Sequence, residues 1–422
     1  MDIVHGLSIL NCFITFGDTD PNNKLNIINP TYINEVVNIE IKDSYKTIIN
    51  VANVQFTRQI TTKTSQKNEF GEREVRLVGE NGVFKRGQRI KIQLWYSEIE
   101  GDETNKKTMF DGFITGIVAD NPFTLKCEDM GYILKQTALS AIKTDSKGTK
   151  LNDFCENILL KGTGIELHPA TKEMNMEVGQ IVYPQSCTAA DILNRFKKWG
   201  IMAYMRNYNG VPHLALGRTM FSVNSSESLL KDMPATPYEI YFDEHVADDN
   251  LKISKLDANL LALEAIALYP DNSMYKATIR RDPKDNSKFQ VINETKISKN
   301  QLKNTLLSEH DKNTNLTNLV GTQNNKIDLS AYNVRTYHEY NVNRDTLVKN
   351  AQAAFSEISQ TGIEGDLVIF GDYGLSSGCK VRLTDNLNPE RNGTYVISEV
   401  VTTFGTHGYR QRLKIPYKLS DK

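Results

Sequence analysis

Two stretches near opposite ends of the chain share one spacing, and that echo constrains the fold more than any other feature. Phe84-x-x-Gly87-x-x-Ile90-x-Ile92 matches Leu375-x-x-Gly378-x-x-Val381-x-Leu383. In each, a glycine stands three residues past an apolar anchor and opens a strand with period-two alternation. Each leads to a turn and an aromatic-bearing strand, Asp111-Gly112-Phe113-Ile114 in one and Asn392-Gly393-Thr394-Tyr395-Val396-Ile397 in the other. Each then reaches a closing strand, Phe123 to Cys127 and Tyr409 to Ile415. Any two antiparallel hairpins can look this way by chance. The other reading is more specific: two like β regions flank a different one.

The segment between the echoes changes character. Leu151, Phe154, Cys155, Ile158 and Leu159 fall on one helical face, ended by Gly162 and Gly164. A second helix opens at Thr188 with Asp191 three residues on, a capping-box variant, and Gly200 suits its C-terminus. Two strands follow around Asn209-Gly210, a strong hairpin signal. The spacing predicts a small α/β unit. Farther on, Pro270-Asp271-Asn272-Ser273 reads as a turn between two strands. Leu347, Ala351, Ala354, Phe355 and Ile358 predict a helix over about 344–360, capped by Asn343. Residues about 283–330 are rich in Lys, Asn, Asp, Ser and Thr and read as a polar excursion. Leu302 to Leu307 reads as a short helix within it.

The expected fold class is therefore mainly β with α+β parts: two like β domains, each a barrel wall or a half-exposed sheet, flank a small α/β domain. The expected divisions are 1–145, 146–220 and 221–422. The last holds the polar insertion about 283–330 and the helix about 344–360. At 422 residues the chain is long for one core.

Composition excludes several classes. With 50 basic against 51 acidic residues the net charge is -1, which argues against a dedicated duplex binder. No window nears the roughly 20 apolar residues of a membrane span. Met1-Asp2-Ile3-Val4-His5 has an early acid and no basic run, so no signal peptide is expected. Cys12, Cys127, Cys155, Cys187 and Cys379 are scattered with no C-x-x-C pair, against a disulfide framework or a zinc site. Cys127 and Cys155 read as buried thiols.

No nucleophile elbow, zincin motif, phosphate loop or dinucleotide fingerprint is present. Asp18-Thr19-Asp20-Pro21-Asn22 begins like a calcium loop but has Asn23 and Asn29 where glycine and glutamate belong, so it reads as a turn. Cys187 at a helix start reads as a capping region. The pairs Asp248 with Asp249 and Glu128 with Asp129 could serve a glycosidase, but acid pairs usually coat solvated faces. Trp95 with Tyr96 could make a sugar platform, though aromatics at strand spacing usually pack a core. No catalytic residue, cofactor or metal is expected. The candidate surface is the polar side of the two echo strands: Arg89, Lys91 and Gln93 in one, Lys380 and Arg382 in the other. These are expected to line a wall or meet neighbours.

The C-terminal order Gly362-Ile363-Glu364-Gly365, Phe370-Gly371-Asp372, Leu375-Ser376-Ser377-Gly378, Val381-Arg382-Leu383-Thr384-Asp385 and Gly408-Tyr409-Arg410 resembles the late-control-D and baseplate-hub family of tailed phages. That family includes the hub half of the type VI secretion spike protein. Phe110-Asp111-Gly112-Phe113-Ile114-Thr115-Gly116-Ile117, Leu125-Lys126-Cys127-Glu128-Asp129 and Leu134-Lys135 add a second match. The resemblance covers both ends and, more loosely, the α/β part. It implies a structural homotrimer whose two β-barrel-like tube domains per chain form a pseudo-sixfold ring. That ring would join a hexameric tail tube to a trimeric central spike and contact other baseplate proteins. DNA would pass through its lumen without specific binding. The expected location is the virion tail or baseplate, assembled in the host bacterial cytoplasm. The readings weighed against it are a tail-borne cell-wall hydrolase and a receptor- or glycan-binding tail-tip module.

Overall fold

The computed structural model describes residues 9–21, 23–57, 61–67, 73–77, 83–99, 101–144, 149–173, 177–178, 181–183, 186–198, 201–208, 211–218, 236–254, 260–269, 273–298, 329–340, 342–358, 362–371, 374–416 and 418–420. Asn209-Gly210, Gly200, most of the Pro270–Ser273 turn and the Leu302–Leu307 segment lie outside them.

The first region is a run of strands: β1 (Ile9–Thr19), β2 (Ile27–Ile33), β3 (Asn38–Ser44), β4 (Val51–Phe56), β5 (Thr61–Lys67), β6 (Arg73–Leu77), β7 (Arg89–Ser97), β8 (Lys107–Val118) and β9 (Phe123–Asp129). In β7 the residues Ile90, Ile92 and Leu94 are fully buried. That is the period-two face predicted from the sequence. They join Ile14, Phe16, Val54, Phe56 and Leu125 in one core.

The middle of the chain is α/β. Helix α1 (Gly131–Gln136) is followed by α2 (Leu151–Phe154), a π turn over Cys155–Leu159, the short strand β10 (Glu166–Leu167), helix α3 (Ala189–Lys198), and strands β11 (Ile201–Tyr208) and β12 (Val211–Arg218). Gly162 and Gly164 take positive φ at the predicted stop. The capping box forms: the Asp191 carboxylate accepts from the Thr188 N–H at 2.9 Å, and the Asp191 N–H donates to the Thr188 hydroxyl at 3.2 Å. Phe154, Cys155, Leu159, Ile192, Leu193 and Phe196 share this unit's core. Register Tyr208↔Val211 pairs β11 and β12 as an antiparallel hairpin.

The chain then returns to β: β13 (Tyr238–Tyr241), β14 (Val246–Asp249), β15 (Lys252–Ser254), β16 (Leu261–Leu268), β17 (Met274–Asp282), β18 (Asp285–Ile297) and β19 (Asn333–Tyr340). Helix α4 (Arg344–Ile358) precedes β20 (Gly362–Phe370), β21 (Lys380–Thr384), β22 (Gly393–Val396), β23 (Glu399–Gly405), β24 (Gly408–Ile415) and β25 (Lys418–Ser420). Asn343 caps α4 through the Thr346 N–H at 2.9 Å. Leu347, Ala351, Ala354 and Phe355 pack on β16, forming a core of their own with Leu261, Leu263, Ala265 and Ile279. This four-stranded sheet runs β18-β17-β16-β19.

Part of the stretch read as a polar excursion is thus an ordered edge strand. Residues 285–297 pair with β17 from Asp282↔Asp285 to Met274↔Ile297. Lys and Glu on an edge strand are a familiar guard against stray pairing, and they gave this strand its loop-like composition.

The mainly β class holds, but the two outer β regions are not separate closed barrels. Among the described residues both contribute to one 14-stranded sheet, ordered β14-β20-β24-β23-β3-β4-β9-β8-β7-β1-β2-β5-β6, with β15 also on β20. The link is β23 on β3, antiparallel from Glu399↔Ser44 to Gly405↔Asn38. Phe404 and Tyr409 enter the first region's core, so two stretches far apart in sequence share one hydrophobic interior. Among the described residues no helix is long and apolar enough to cross a membrane.

Candidate assembly interface

The two echo stretches fold alike down to their hydrogen bonds. Gly87 and Gly378 both take positive φ, 88° and 85°. The Gly87 N–H donates to the Ile114 carbonyl at 2.8 Å, and the Ile114 N–H donates back to the Gln88 carbonyl at 2.8 Å. The Gly378 N–H donates to the Ile397 carbonyl at 2.7 Å, and the Ile397 N–H donates back to the Cys379 carbonyl at 3.0 Å. The approach turns match as well: Gln88 N–H to Lys85 carbonyl and Cys379 N–H to Ser376 carbonyl are both 3.3 Å. Beyond the glycines, Arg89↔Phe113 and Ile90↔Gly112 pair in one hairpin, as Lys380↔Val396 and Val381↔Tyr395 pair in the other.

The correspondence continues outward. Leu125 of β9 pairs with Val54 of β4, as Leu413 of β24 pairs with Leu367 of β20. All four are fully buried. The repeat departs from symmetry at its flank: β1 runs antiparallel to β7, whereas β13 runs parallel to β21.

Of the five candidate surface residues, Arg89 departs from expectation. Alternation puts it on the wet face, yet it is 2% exposed. Its guanidinium pairs with Asp111 at 2.6 Å and donates to the Gly112 carbonyl at 2.7 Å and the Leu25 carbonyl at 3.1 Å. Its carbon lies 4.9 Å from the Phe113 ring centre. Burial pulls its pKa down and the Asp111 charge opposes that. Arg89 is therefore an internal tie between β7, β8 and the loop at Leu25. The reason is local: at the start of β7 the polar face is covered by that loop. The acidic residue inside Phe110-Asp111-Gly112-Phe113 was the available signal for such a partner.

Lys91 and Gln93 remain partly exposed on that face, with the Gln93 amide 3.5 Å from the Thr108 hydroxyl. Lys380 is also partly exposed. Arg382 pairs across the sheet with Glu239 at 3.0 Å, both well solvated, a contact worth little to stability. Arg89 and Lys380 hold equivalent register positions in the two hairpins, one covered and one open.

The joint between the regions was invisible in the sequence. The Asp43 carboxylate accepts from the Ser377 N–H and hydroxyl and from the Asn50 amide. The neighbouring Asp129 accepts from the N–H groups of Asn50 at 3.0 Å and Gly131 at 2.8 Å. Burial outweighs those donors and pushes its pKa up to about 8. The Tyr96 ring stacks on Tyr409 at 5.4 Å, and its hydroxyl donates to the Tyr409 carbonyl at 2.8 Å. Trp95 is buried, its indole N–H on the Asp102 carbonyl. Neither aromatic forms an open platform.

The acid pairs do not converge either. Neighbours on a strand face opposite ways: Glu128 meets Lys135 at 2.9 Å while Asp129 points inward. Asp248 and Asp249 are exposed on β14. Cys12, Cys127 and Cys155 are buried free thiols. Among the described residues no group of three or more His, Cys, Asp or Glu could hold a metal.

The site is thus a sheet surface with a duplicated module. No protein-family model matches the chain, and no curated protein matches its sequence. Among solved structures it is similar to the 43 kDa tail protein of prophage MuSo2 from Shewanella oneidensis, at 10% identity and a TM-score of 0.49, over 96% of this chain and 97% of that one. It is similar to a tail protein from Neisseria meningitidis MC58, at 8% identity and 0.48, over 97% and 98%. It is also similar to a lidded PdpA–VgrG complex of Francisella, at 10% identity and 0.49, over 97% of this chain and 53% of that one.

Proposed function

We propose that this chain is a structural hub of a phage tail baseplate or a related contractile injection machine, acting by assembly rather than by turnover. The observation that carries the reading is the paired turn at Gly87 and Gly378, with its matching hydrogen bonds and hairpin register. A chain with two equivalent wall modules presents six of them in a trimer, so a threefold ring can seat on a sixfold neighbour. The motif resemblance at both ends points the same way.

In this reading the chain forms a homotrimer between a hexameric tail tube protein and a trimeric central spike, in contact with other baseplate proteins. It resides in the virion tail and is assembled in the host cytoplasm. DNA passes through the lumen without specific binding, in keeping with the net charge of -1. Residues 1–145 and 221–422 supply the tube modules and 146–220 the small α/β domain. Residues about 283–330 form an embellishment on the second. Lys91, Gln93, Lys380 and Arg382 belong to the ring wall or to contacts with neighbours. Arg89 supports the wall from inside.

Mass measurement in solution with negative-stain imaging tests the reading. The expected result is a ring of three times the 47.7 kDa chain mass. A particle of another stoichiometry, or clearing of bacterial cell wall in a zymogram, overturns it.

A further inference from the structure

The two halves of the internal repeat differ at one strand edge. Ile117 and Val400 are equivalent: each pairs with a fully buried leucine of its closing strand, Leu125 and Leu413. Their surroundings differ on the other side. Val400 is covered by β3, where it pairs with Asp43, and is 1% exposed. Ile117 is 37% exposed. Among the described residues no strand pairs with Gly116–Val118 on the side away from β9.

The missing neighbour has a counterpart at the far end of the sheet. β3 pairs with β4 through Ile39↔Val54 and Lys42↔Val51. In the second module, β14 and β15 pair with β20 through Asp249↔Leu367 and Lys252↔Glu364. Val54 and Leu367 are equivalent through their leucine partners, so Lys252 stands where Lys42 stands. Among the described residues β14 and β15 have no strand on the side away from β20.

We infer that the Gly116–Val118 edge of one copy pairs antiparallel with the β14–β15 edge of the next, repeating between chains the β23–β3 pairing found within one. The register follows: Val118 meets Lys252 of the neighbouring copy, as Val401 meets Lys42 inside the chain. Ile117 is then covered as Val400 is. An unpaired edge with an exposed isoleucine is a pairing template, and head-to-tail contacts between unlike edges close into a ring when the rotation permits. The inference rests on the ring reading above and adds its seam.

Paired cysteines test it in the full chain under mild oxidation. Val118→Cys with Lys252→Cys should give reducible dimers and covalently closed trimers, because cross-strand partners lie within disulfide reach. The single variants measure background from Cys187 and Cys379, the two native thiols that are not buried. Ile117→Cys with Lys252→Cys places the thiols on opposite faces and should crosslink several-fold less. Val401→Cys with Lys42→Cys should close within one chain. Ile117→Lys, at a site 37% exposed in the lone chain, should leave melting of the dilute, unassembled chain unchanged and weaken assembly at least about tenfold.

A trimer that forms without the Val118–Lys252 crosslink, or that tolerates Ile117→Lys, overturns the seam and leaves the ring standing. Crosslinking in an assembly of another stoichiometry supports the seam and overturns the ring. A chain that stays monomeric at its highest soluble concentration overturns both.

Discussion

Asp43 takes two hydrogen bonds from Ser377, one from its backbone N–H at 2.7 Å and one from its hydroxyl at 2.9 Å. The contact ties β3 to the turn that opens the second module. Burial raises the Asp43 pKa, and each bond to it contributes roughly 1 kcal/mol, as an ordinary intramolecular hydrogen bond does. Asp43→Ala should therefore destabilise the chain by about 2 kcal/mol, and Ser377→Ala, which keeps the backbone donor, by about 1 kcal/mol. Chemical denaturation of both variants and the double variant should show a coupling energy of about 1 kcal/mol; strict additivity would remove the tie.

Arg89 and Asp111 give a sharper expectation. Removing one partner of a buried ion pair leaves the other charge stranded, at about 3–5 kcal/mol when both are fully enclosed. Asp111 is 24% exposed, so water relieves part of that cost. Asp111→Ala should cost about 1–3 kcal/mol, while Arg89→Met, which fills the space without a charge, should cost less. Denaturant midpoints decide the order, and the reverse order would contradict the account.

The two turn glycines should respond in the same direction. An L side chain at positive φ costs about 1–2 kcal/mol, and a Cβ on Gly87 would meet nothing within 4 Å. The loss at Gly87→Ala is then conformational alone. Gly378→Ala should lose at least as much, since the backbone conformation and local bonding are the same and Gly378 is buried. Asn at either position should recover part of the loss.

Asp129 makes stability depend on pH. Its pKa is raised from 3.8 to about 8 by burial. Well below pH 4 both folded and unfolded chains hold the proton. Between about 4 and about 8 only the folded chain holds it, so this group's contribution to stability falls as pH rises through that window and levels off above. Denaturation midpoints from pH 4 to 9 should show a shallower fall for Asp129→Asn than for the parent chain. Equal slopes would remove Asp129 as the source.

How much of this was legible in the sequence depends on how local each signal is. The turn glycines, the apolar face Ile90, Ile92 and Leu94 of β7, the Thr188–Asp191 box and the stripe Leu347, Ala351, Ala354 and Phe355 of α4 are all set by neighbours within a few positions, and each stands where the pattern put it. Arg89 misled because strand periodicity assigns a face but not what covers it. The strand 285–297 was masked by its edge position, which favours polar side chains. The β23–β3 joint left no local mark, because pairing across most of the chain is written only in edges that must find each other.

That joint has a consequence for how the protein is made. During synthesis the first region emerges with β3 lacking β23, and its core lacks Phe404 and Tyr409 until the chain through Tyr409 has left the ribosome. Closure across so long a loop is slow, and a waiting strand edge invites the wrong companion. The nascent chain should thus depend on chaperones for longer than its modest hairpins suggest, and truncations before Glu399 should aggregate instead of yielding a tidy N-terminal half.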